Sequence, residues 1–591
     1  MKKNTKSSSY FNTVLKRLLP AFIISFTIPC VVCILIPFEV FANNLGEFMF
    51  AVGDFIPMSL LFTFLFTIAI TLAIVFLPGK IYKVACAIII GIAFMFFLQG
   101  LILNSGISSL AGDNLTTAGP SIGQKIGNLI IWIVVLAGFI TLALLKDKYG
   151  IISALSVMLC IIILIAQLLG PVVLCLNNDK VFASKEDRIS SSQENSTPKI
   201  LTTKGLTTIS SNRNVFVFCV DRFDQAYADQ GYLEHPEIFE ILDGFTAFDD
   251  NVSIYGHTFP GITNLLTGNR FDPTVSRETF LESVYTNNQT LDLLNQNGYK
   301  IKLFTQSYYA YDDAQYMPSY VENVAEATDF TVASKNKPLL SLSMTQIALY
   351  RCFPLFLKNF VGNINSATCN NYVLSEGSDG YSQYTPDMKK VYTQITENTF
   401  DVISDKLFSF VHIEGCHGVD YNEEWNKASA KESKDIMISL KNSFKIIGEF
   451  IAQLKAYGVY ENSTIVITGD HATPINNKAK LSAGALTALF IKPAGSSGST
   501  LAHSLVQASH DDLWATIFQS ENITGYQGGY NGEHSVSLFD MYSGVNRTRE
   551  HIWHTYNVPM GAHTYSVTGE GRTFSNWQLL NTTYYNKFIM D

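Results

Sequence analysis

The chain has few charged residues. Asp, Glu, Lys and Arg make up only 15% of its 591 residues, whereas hydrophobic residues make up 47%, and an average soluble domain has about a quarter charged residues. The net charge is −9, with no basic cluster beyond the N-terminal tail. Because nucleic-acid binding needs Lys and Arg gathered on one face, we expect no nucleic-acid partner. Nearly all the long apolar runs fall before residue 180, which indicates a membrane region followed by a globular one.

Charged residues are absent from the long apolar stretches in this first region. A helix needs about 20 apolar residues to cross a bilayer, and one Lys or Asp at mid-membrane costs about 2.5–3.5 kcal/mol. The predicted spans are 18–38, 57–78, 84–103, 128–145 and 151–176. The first run also follows a basic segment as a signal peptide would, but no small-residue cleavage site follows it. We therefore predict a five-helix transmembrane domain over residues 1–178.

Basic residues alternate between the two sides of these predicted spans. The side of the N-terminus carries Lys2, Lys3, Lys6, Lys16, Arg17, Lys80, Lys83, Lys146 and Lys148. The loops on the other side, near 39–56 and 104–127, hold only Lys125. Because basic loops mark the cytoplasmic side, the N-terminus is predicted to be cytoplasmic and the region after residue 180 extracytoplasmic.

The nine cysteines form no CxxC motif and no paired Cys/His spacing that would suggest a structural zinc site. Most of them lie within or at the ends of the spans, where they are expected to be small apolar filler. Cys352 and Cys369 could form a disulfide in an oxidising compartment, but the sequence leaves this open.

After a predicted linker at 179–210, the pattern changes to short apolar runs separated by helical stretches. The runs are 215–220, 301–305, 408–413, 463–468 and 486–492, and each is continuous rather than alternating. Such runs are typical of strands buried on both faces. The stretch 432–457 has helical spacing. Residues 211–591 are thus predicted to form one α/β domain with a mostly parallel central sheet sandwiched by helices.

Polar side chains follow three of these predicted strands. Asp221 comes directly after the first, Glu414-Gly415-Cys416-His417 after the third, and Asp470-His471 after the fourth. An Asp at a strand end is usually a turn or helix-cap residue, and a single His can be structural. Together, however, carboxylates and imidazoles at the carboxyl ends of strands supply ligands for a divalent metal.

The segment 256–268, GHTFPGITNLLTG, resembles the nucleophile motif of the alkaline phosphatase and sulfatase superfamily. Sulfatases carry Cys or Ser, then Pro two residues later, then Arg, and then Leu-Thr-Gly. Thr258, Pro260 and Leu266-Thr267-Gly268 stand at the matching spacing. Ile262 replaces the arginine, and Thr258 replaces the Cys or Ser that becomes formylglycine. Because threonine cannot become formylglycine, sulfatase activity is not expected.

Threonine is the nucleophile of the lipoteichoic acid synthase and phosphoethanolamine transferase branches, which also combine five N-terminal spans with an outer catalytic domain. The resemblance implies that Asp221, Thr258, Asp470 and His471 bind one metal ion, Mn²⁺ or Zn²⁺. It also implies that His417 contacts the substrate phosphate or protonates the leaving oxygen. The lipoteichoic acid synthases have Glu where this chain has Asp221, which puts that particular assignment in doubt.

Several other polar residues lie near these motifs. Asp224, His257 and His510 are weaker site candidates, the last within 505–518, a segment that resembles a late strand–helix unit of the superfamily. Arg222 and Arg270 also lie near the predicted site, but a local salt bridge or turn contact accounts for them equally well.

The leading hypothesis is a transferase that moves a phospholipid head group, phosphoglycerol or phosphoethanolamine, from a donor in the outer leaflet to a cell-envelope glycan or glycolipid. An alcohol nucleophile needs a base or a metal near pH 7, and a metal can lower the pKa of bound water to about 7. Two alternatives stay open: a phosphoester hydrolase, and a non-catalytic membrane regulator that retains the fold. A transporter has little support, because the spans lack intramembrane charges.

Overall fold

A computed structural model describes residues 2–45, 48–104, 121–145, 151–184, 199–272, 275, 277–306, 316–326, 329–361, 369–370, 372–377, 380–472, 486–528, 535–555 and 561–584. The chain divides into two compact units. Unit 1 comprises Met1–Thr197 and Phe330–Glu376, and unit 2 comprises Pro198–Asp329 and Gly377–Asp591. Lys146, Lys148 and residues 185–198 of the predicted linker lie outside the described residues.

The N-terminal part of unit 1 is helical. Its α-helices are α1 (Lys2–Cys30), α2 (Ile36–Asn43), α3 (Val52–Val75), α4 (Gly79–Leu98), α5 (Ile122–Leu144) and α6 (Ile151–Asn177). Short π-helical turns, Val31–Leu35 and Gln99–Leu103, extend α1 and α4. Among the described residues, five helical segments are long and apolar enough to cross a membrane: Phe11–Asn43, Val52–Val75, Gly79–Leu103, Ile122–Leu144 and Ile151–Asn177. The five predicted spans are therefore confirmed, and the chain is a multi-pass membrane protein.

Unit 1 also contains residues 330–376, which the sequence placed within the globular region. The helices of unit 2 that precede them are α7 (Gln225–Glu234), α8 (Thr258–Thr267), α9 (Arg277–Thr286) and α10 (Gln289–Gln296). The segment itself contributes helices α11 (Lys337–Cys352) and α12 (Lys358–Val361). The buried face of α11, including Leu340 and Met344, belongs to the same apolar core as residues of α2 and α4.

Buried polar groups attach this segment to the spans. Oε1 of Gln99 accepts hydrogen bonds from Asn128 Nδ2 (2.9 Å) and Trp132 Nε1 (3.0 Å). Asn128 Oδ1 in turn accepts from the backbone N–H of Leu355 at 3.0 Å. Gln99 Nε2 donates to Asn104, whose own amide donates to the Arg351 carbonyl, each at 2.8 Å. Each amide therefore has a partner in a surrounding where an unpaired polar group would be costly.

The thiols of Cys352 and Cys369 are both free and buried in this core. The Cys369 thiol lies 3.8 Å from Sδ of Met344 instead.

Further α-helices of unit 2 are α13 (Met388–Glu397), α14 (Ile436–Ala456) and α15 (Leu513–Ser520). The strands within the described residues are β1 (Lys199–Leu201), β2 (Thr208–Ser210), β3 (Asn214–Val220), β4 (Thr246–Val252), β5 (Tyr299–Phe304), β6 (Val324–Glu326), β7 (Phe330–Ser334), β8 (Val373–Gly377), β9 (Asp401–Ile403), β10 (Lys406–Ile413), β11 (Ser463–Thr468), β12 (Leu489–Lys492), β13 (Ala502–Ser509), β14 (Thr548–Thr555), β15 (Gly561–Thr568) and β16 (Trp577–Tyr584). Two of these strands lie in the predicted linker 179–210: β1 pairs with β6, and β2 pairs with β9.

The main sheet has seven strands in the order β13-β4-β12-β11-β3-β10-β5. Its central strands β11, β3, β10 and β5 are parallel, and β12 is antiparallel to both of its neighbours. Alternate residues of β3 pack into two different apolar cores. Val215, Val217 and Cys219 belong to one core, and Phe216, Phe218 and Val220 belong to the other. The sheet is thus buried on both faces, which explains the continuous apolar runs and confirms the predicted α/β architecture.

Candidate metal and nucleophile site

The ends of three adjacent strands bring the predicted ligands together. In the parallel register, Ile413 of β10 stands opposite Val220 of β3, and Thr468 of β11 stands opposite Cys219. Asp221, Glu414 and Gly469-Asp470 therefore emerge at the same edge of the sheet. This is the edge at which open α/β sheets bind ligands.

Helix α8 carries Thr258 to the same edge. Its packing against the β11 end is close: a Cβ on Gly261 would lie 3.0 Å from the carbonyl oxygen of Asp470. A glycine at this position lets α8 approach the backbone of Asp470, because a side chain here would have to displace that backbone. The Thr258 hydroxyl ends 3.4 Å from Nε2 of His471.

Asp221, Asp470 and His471 are buried and form a compact cluster whose ligand atoms all lie within 4.8 Å of one another. His471 Nε2 is 3.7 Å from Asp221 Oδ1 and 3.6 Å from Asp470 Oδ2. These separations are too long for hydrogen bonds. Neither carboxylate oxygen has a hydrogen-bond partner among the described residues.

This arrangement fits a divalent metal ion. Two buried carboxylate oxygens that lack a donor in the described part of the chain carry a desolvation cost that a cation would offset. The Nδ1–H of His471 donates to the carbonyl of Ala472 at 2.6 Å, so the lone pair is on Nε2, which faces the carboxylates. Asp470 is held by its other oxygen, Oδ1, which accepts the backbone N–H of Arg222 at 2.8 Å.

The two carboxylates differ in their electrostatic surroundings. Burial acts to raise the pKa of Asp221, but the His412 and His471 imidazoles hold it below its ordinary value. Burial and the neighbouring Asp221 raise the pKa of Asp470. Two carboxylates this close repel each other unless a cation lies between them.

His412 lies beside this cluster and was not among the predicted site residues. It is the next-to-last residue of β10 and fully buried, with Nε2 at 3.6 Å from Asp221 Oδ2. Nδ1 of the same ring lies 3.1 Å from the Thr305 hydroxyl. A histidine inside an otherwise apolar strand was the available signal, because an imidazole buried there needs polar partners.

His417 lies in the loop after β10 and is exposed to solvent. It is near enough to Asp221 to contribute to the low pKa of that carboxyl. In the same loop, burial and the Asp420, Asp387 and Asp221 carboxylates raise the pKa of Glu414 to about 7. An exposed imidazole thus lies near the buried cluster of Asp221, Asp470 and His471.

The weaker candidates have different surroundings. Asp224 caps α7, accepting the N–H of Ala226 at 2.8 Å. The His257 ring lies 6.3 Å from the His471 ring, between centroids. His510 Nε2 lies 3.3 Å from the Thr468 hydroxyl, within the sheet end. Arg270 forms ion pairs with Asp511 and Glu550.

A group of buried imidazoles adjoins the ligand cluster. His551 and His554 come from β14 of the C-terminal three-stranded sheet, and the Nδ1–H of His551 donates to the Ser253 carbonyl at 2.7 Å. A Cβ on Gly256 would lie 3.5 Å from His551 Nε2, so the His551 ring borders the segment that leads to Thr258. Burial lowers the pKa of both residues to about 4 and that of His510 to about 3. Burial lowers the pKa of His257 as well.

Several solved structures show a distant similarity to this chain. The lipoteichoic acid synthase LtaP from Listeria monocytogenes is 12% identical, covering 66% of this chain and 90% of its own, with a TM-score of 0.34. The phosphonate monoester hydrolase SpPMH from Silicibacter pomeroyi is 14% identical, covering 61% and 87%, with a TM-score of 0.38. A Vibrio parahaemolyticus protein of the alkaline phosphatase superfamily is 11% identical, covering 67% and 89%, with a TM-score of 0.32. No curated protein matches the chain.

The sulfatase family model matches residues 213–523, which is more than half of the chain. Members of this superfamily are metal-dependent hydrolases or transferases of phosphate or sulfate esters. The matched region contains Asp221, Thr258, His417, Asp470 and His471. The chain therefore belongs to the sulfatase family, and its five apolar helices fit the membrane branch of the superfamily.

Proposed function

We propose that the protein transfers a phospholipid head group, phosphoglycerol or phosphoethanolamine, to a cell-envelope glycan or glycolipid through a phosphorylated Thr258. The observation that carries the proposal is the Thr258 hydroxyl, which is half-buried and 3.4 Å from Nε2 of His471. It lies beside two carboxylate oxygens to which no described residue donates a hydrogen bond. A threonine at this position favours phosphate over sulfate esters, because it cannot be converted to formylglycine.

Asp221, Asp470, His471 and the Thr258 hydroxyl would hold one metal ion, Mn²⁺ or Zn²⁺, since carboxylate oxygens and an imidazole suit either. When bound, such an ion lowers the pKa of a coordinated hydroxyl and neutralises charge on a phosphoryl oxygen. The carboxylates of Asp221 and Asp470 would hold the ion, and the carbonyl of Ala472 accepts the Nδ1–H of His471, which leaves the Nε2 lone pair free to bind it.

In the first step, Oγ1 of Thr258 attacks the phosphorus of the donor phosphodiester and loses its proton to solvent. The bond between phosphorus and the diacylglycerol oxygen breaks, and His417 gives that oxygen a proton so that diacylglycerol leaves as an alcohol. The exposure of His417 supports this role, because it leaves the ring accessible to a substrate. The head-group phosphate is then esterified to Thr258.

In the second step, a hydroxyl of the acceptor attacks the same phosphorus. The bond from phosphorus to Thr258 Oγ1 breaks, the acceptor hydroxyl gives up its proton, and Oγ1 regains one. The five apolar helices on the same chain support a donor that is confined to the membrane surface. The predicted topology, with the N-terminus cytoplasmic and unit 2 outside, would place the reaction at the outer leaflet.

The test is mass spectrometry of the full-length protein after incubation with fluorescent phosphatidylglycerol or phosphatidylethanolamine and Mn²⁺ or Zn²⁺. We expect the mass of one head-group phosphate on the peptide that contains Thr258, and its loss when a glycan acceptor is added. Thr258→Ala should carry no such mass and have no transferase activity, whereas Thr258→Ser, which keeps a hydroxyl, should retain part of both. Transferase activity in Thr258→Ala would contradict the proposal, and product in water alone would indicate a hydrolase.

A further inference from the structure

Unit 1 contains a cavity between four of its membrane helices, separate from the site in unit 2. Its volume is about 870 Å³, and residues of α1, α4, α5 and α6 line it. Ligand sites in proteins commonly have volumes of about 300–1,000 Å³. The cavity is therefore large enough for part of a lipid molecule.

One end of the cavity is basic. Arg17 of α1 and Lys80 and Lys83 at the start of α4 line it, and among the described lining residues none is acidic. The Arg17 guanidinium is fixed in place, with Nη1 donating to the Leu77 carbonyl at 2.9 Å and its carbon 4.5 Å from the centre of the Tyr82 ring. Together, the three basic side chains make this end of the cavity positively charged.

The rest of the wall is apolar. Ile24 follows Arg17 by two helical turns, and Ile90 follows Lys80 by nearly three, so both lie deeper along the helix axes. Phe139 of α5 and Leu159 of α6 complete this part of the wall. A positive end joined to an apolar interior matches a molecule with an anionic head and a hydrocarbon chain.

We infer that this cavity binds an anionic phospholipid from the leaflet on the side of the N-terminus. The phosphate contacts Arg17, Lys80 and Lys83, and one acyl chain lies against Ile24, Ile90 and Phe139. Basic pockets between membrane helices are a recognised way of binding anionic head groups. This lipid is a bound ligand of unit 1 and not the donor proposed for Thr258, which belongs to the opposite leaflet in the predicted topology.

The experiment is native mass spectrometry of the full-length protein in a neutral detergent, titrated with phosphatidylglycerol or with phosphatidylcholine of the same acyl chains. We expect one tightly bound phosphatidylglycerol and at least tenfold weaker binding of phosphatidylcholine. The double variant Lys80→Gln/Lys83→Gln should weaken phosphatidylglycerol binding by about tenfold or more. The matched control, Lys16→Gln/Lys125→Gln, removes the same charge outside the cavity and should leave binding unchanged.

A second pair of variants tests whether the apolar part of the cavity binds the acyl chain, and it does so without changing the charge. Ala143→Phe places a larger side chain in the cavity. Ala137→Phe makes the same change at an exposed position of α5 that does not line the cavity. We expect only Ala143→Phe to reduce binding. The inference would be overturned if the two lysine double variants lost phosphatidylglycerol binding equally, or if the protein bound both lipids with equal affinity. Unchanged binding in Ala143→Phe would also overturn it, because the lipid would then lie at the surface.

Discussion

The Thr258 hydroxyl lies 3.4 Å from Nε2 of His471, although the two residues are 213 positions apart in the chain. His471 follows the end of β11 and Thr258 begins α8. The lack of a side chain at Gly261 lets these two elements lie close enough for the contact. The relationship joins a nucleophile candidate to a metal-ligand candidate. It is the geometric basis of the proposed reaction.

Metal binding should stabilise unit 2 through this cluster. At a metal concentration of about 100 times Kd, we expect a gain of about 2.7 kcal/mol in the free energy of unfolding and a higher Tm. Asp470→Asn should abolish that gain, because it keeps an Oδ1 acceptor for the Arg222 N–H but loses the negative charge. Thermal unfolding with added Mn²⁺ or Zn²⁺ and with a chelator measures both effects.

The control for this prediction is Asp224→Asn. Asn caps helices about as well as Asp, so α7 should remain capped. The metal-dependent rise in Tm should therefore persist in Asp224→Asn. If it disappeared there and survived in Asp470→Asn, the assignment of Asp470 as a ligand would be wrong.

His412→Phe should weaken metal binding by about 10- to 100-fold, the usual cost of losing a group that orients a ligand. The imidazole contacts Asp221 on one side and Thr305 on the other, so its loss removes a charge partner of the ligand. Isothermal titration with the metal ion measures the change. His503→Phe, at an exposed position on β13, is the control and should leave the affinity unchanged.

Unit 2 should lose stability steeply below pH 6.5. The folded-state pKa is about 4 for His551 and His554, about 3 for His510 and lowered for His257, against 6.5 for an ordinary histidine. Between those values the unfolded state binds more protons than the folded state, so stability falls as pH falls. Each such histidine contributes up to about 1.4 kcal/mol per pH unit.

Tryptophan fluorescence reports this transition, because four of the five Trp residues belong to unit 2. The melt is run with a chelator so that loss of metal does not contribute. His510→Gln should flatten the fall in Tm between pH 7 and pH 5 relative to His503→Gln. An equal slope in both variants would contradict the contribution of the buried imidazole.

Gln99→Leu should loosen residues 330–376 within unit 1. It removes the acceptor shared by Asn128 and Trp132 and the donor to Asn104, at a cost of about 1–2 kcal/mol. Limited proteolysis of the detergent-solubilised protein should then cut this segment faster. Gln167→Leu, the same change in α6, should not accelerate cleavage, and similar rates in both variants would contradict the prediction.

The sequence alone determined the five spans and the α/β class, because both depend on local patterns. A span needs only a long uncharged apolar run, and a doubly covered strand needs only a short continuous one such as 463–468. The sequence also pointed to Asp221, Asp470 and His471 through their residue types and strand-end positions, and to Thr258 through the resemblance of segment 256–268 to a known nucleophile motif. Their roles as ligands and nucleophile stay predictions.

The tertiary structure decided what depends on distant parts of the chain. The strand order brings β11, β3 and β10 side by side and so places His412 against Asp221, a contact that no local pattern encodes. The inclusion of 330–376 in the membrane unit depends on hydrogen bonds between residues more than 200 positions apart, such as Asn128 and Leu355. Packing between remote segments, not local preference, determined which polar residues meet and therefore how Thr258 came to face His471.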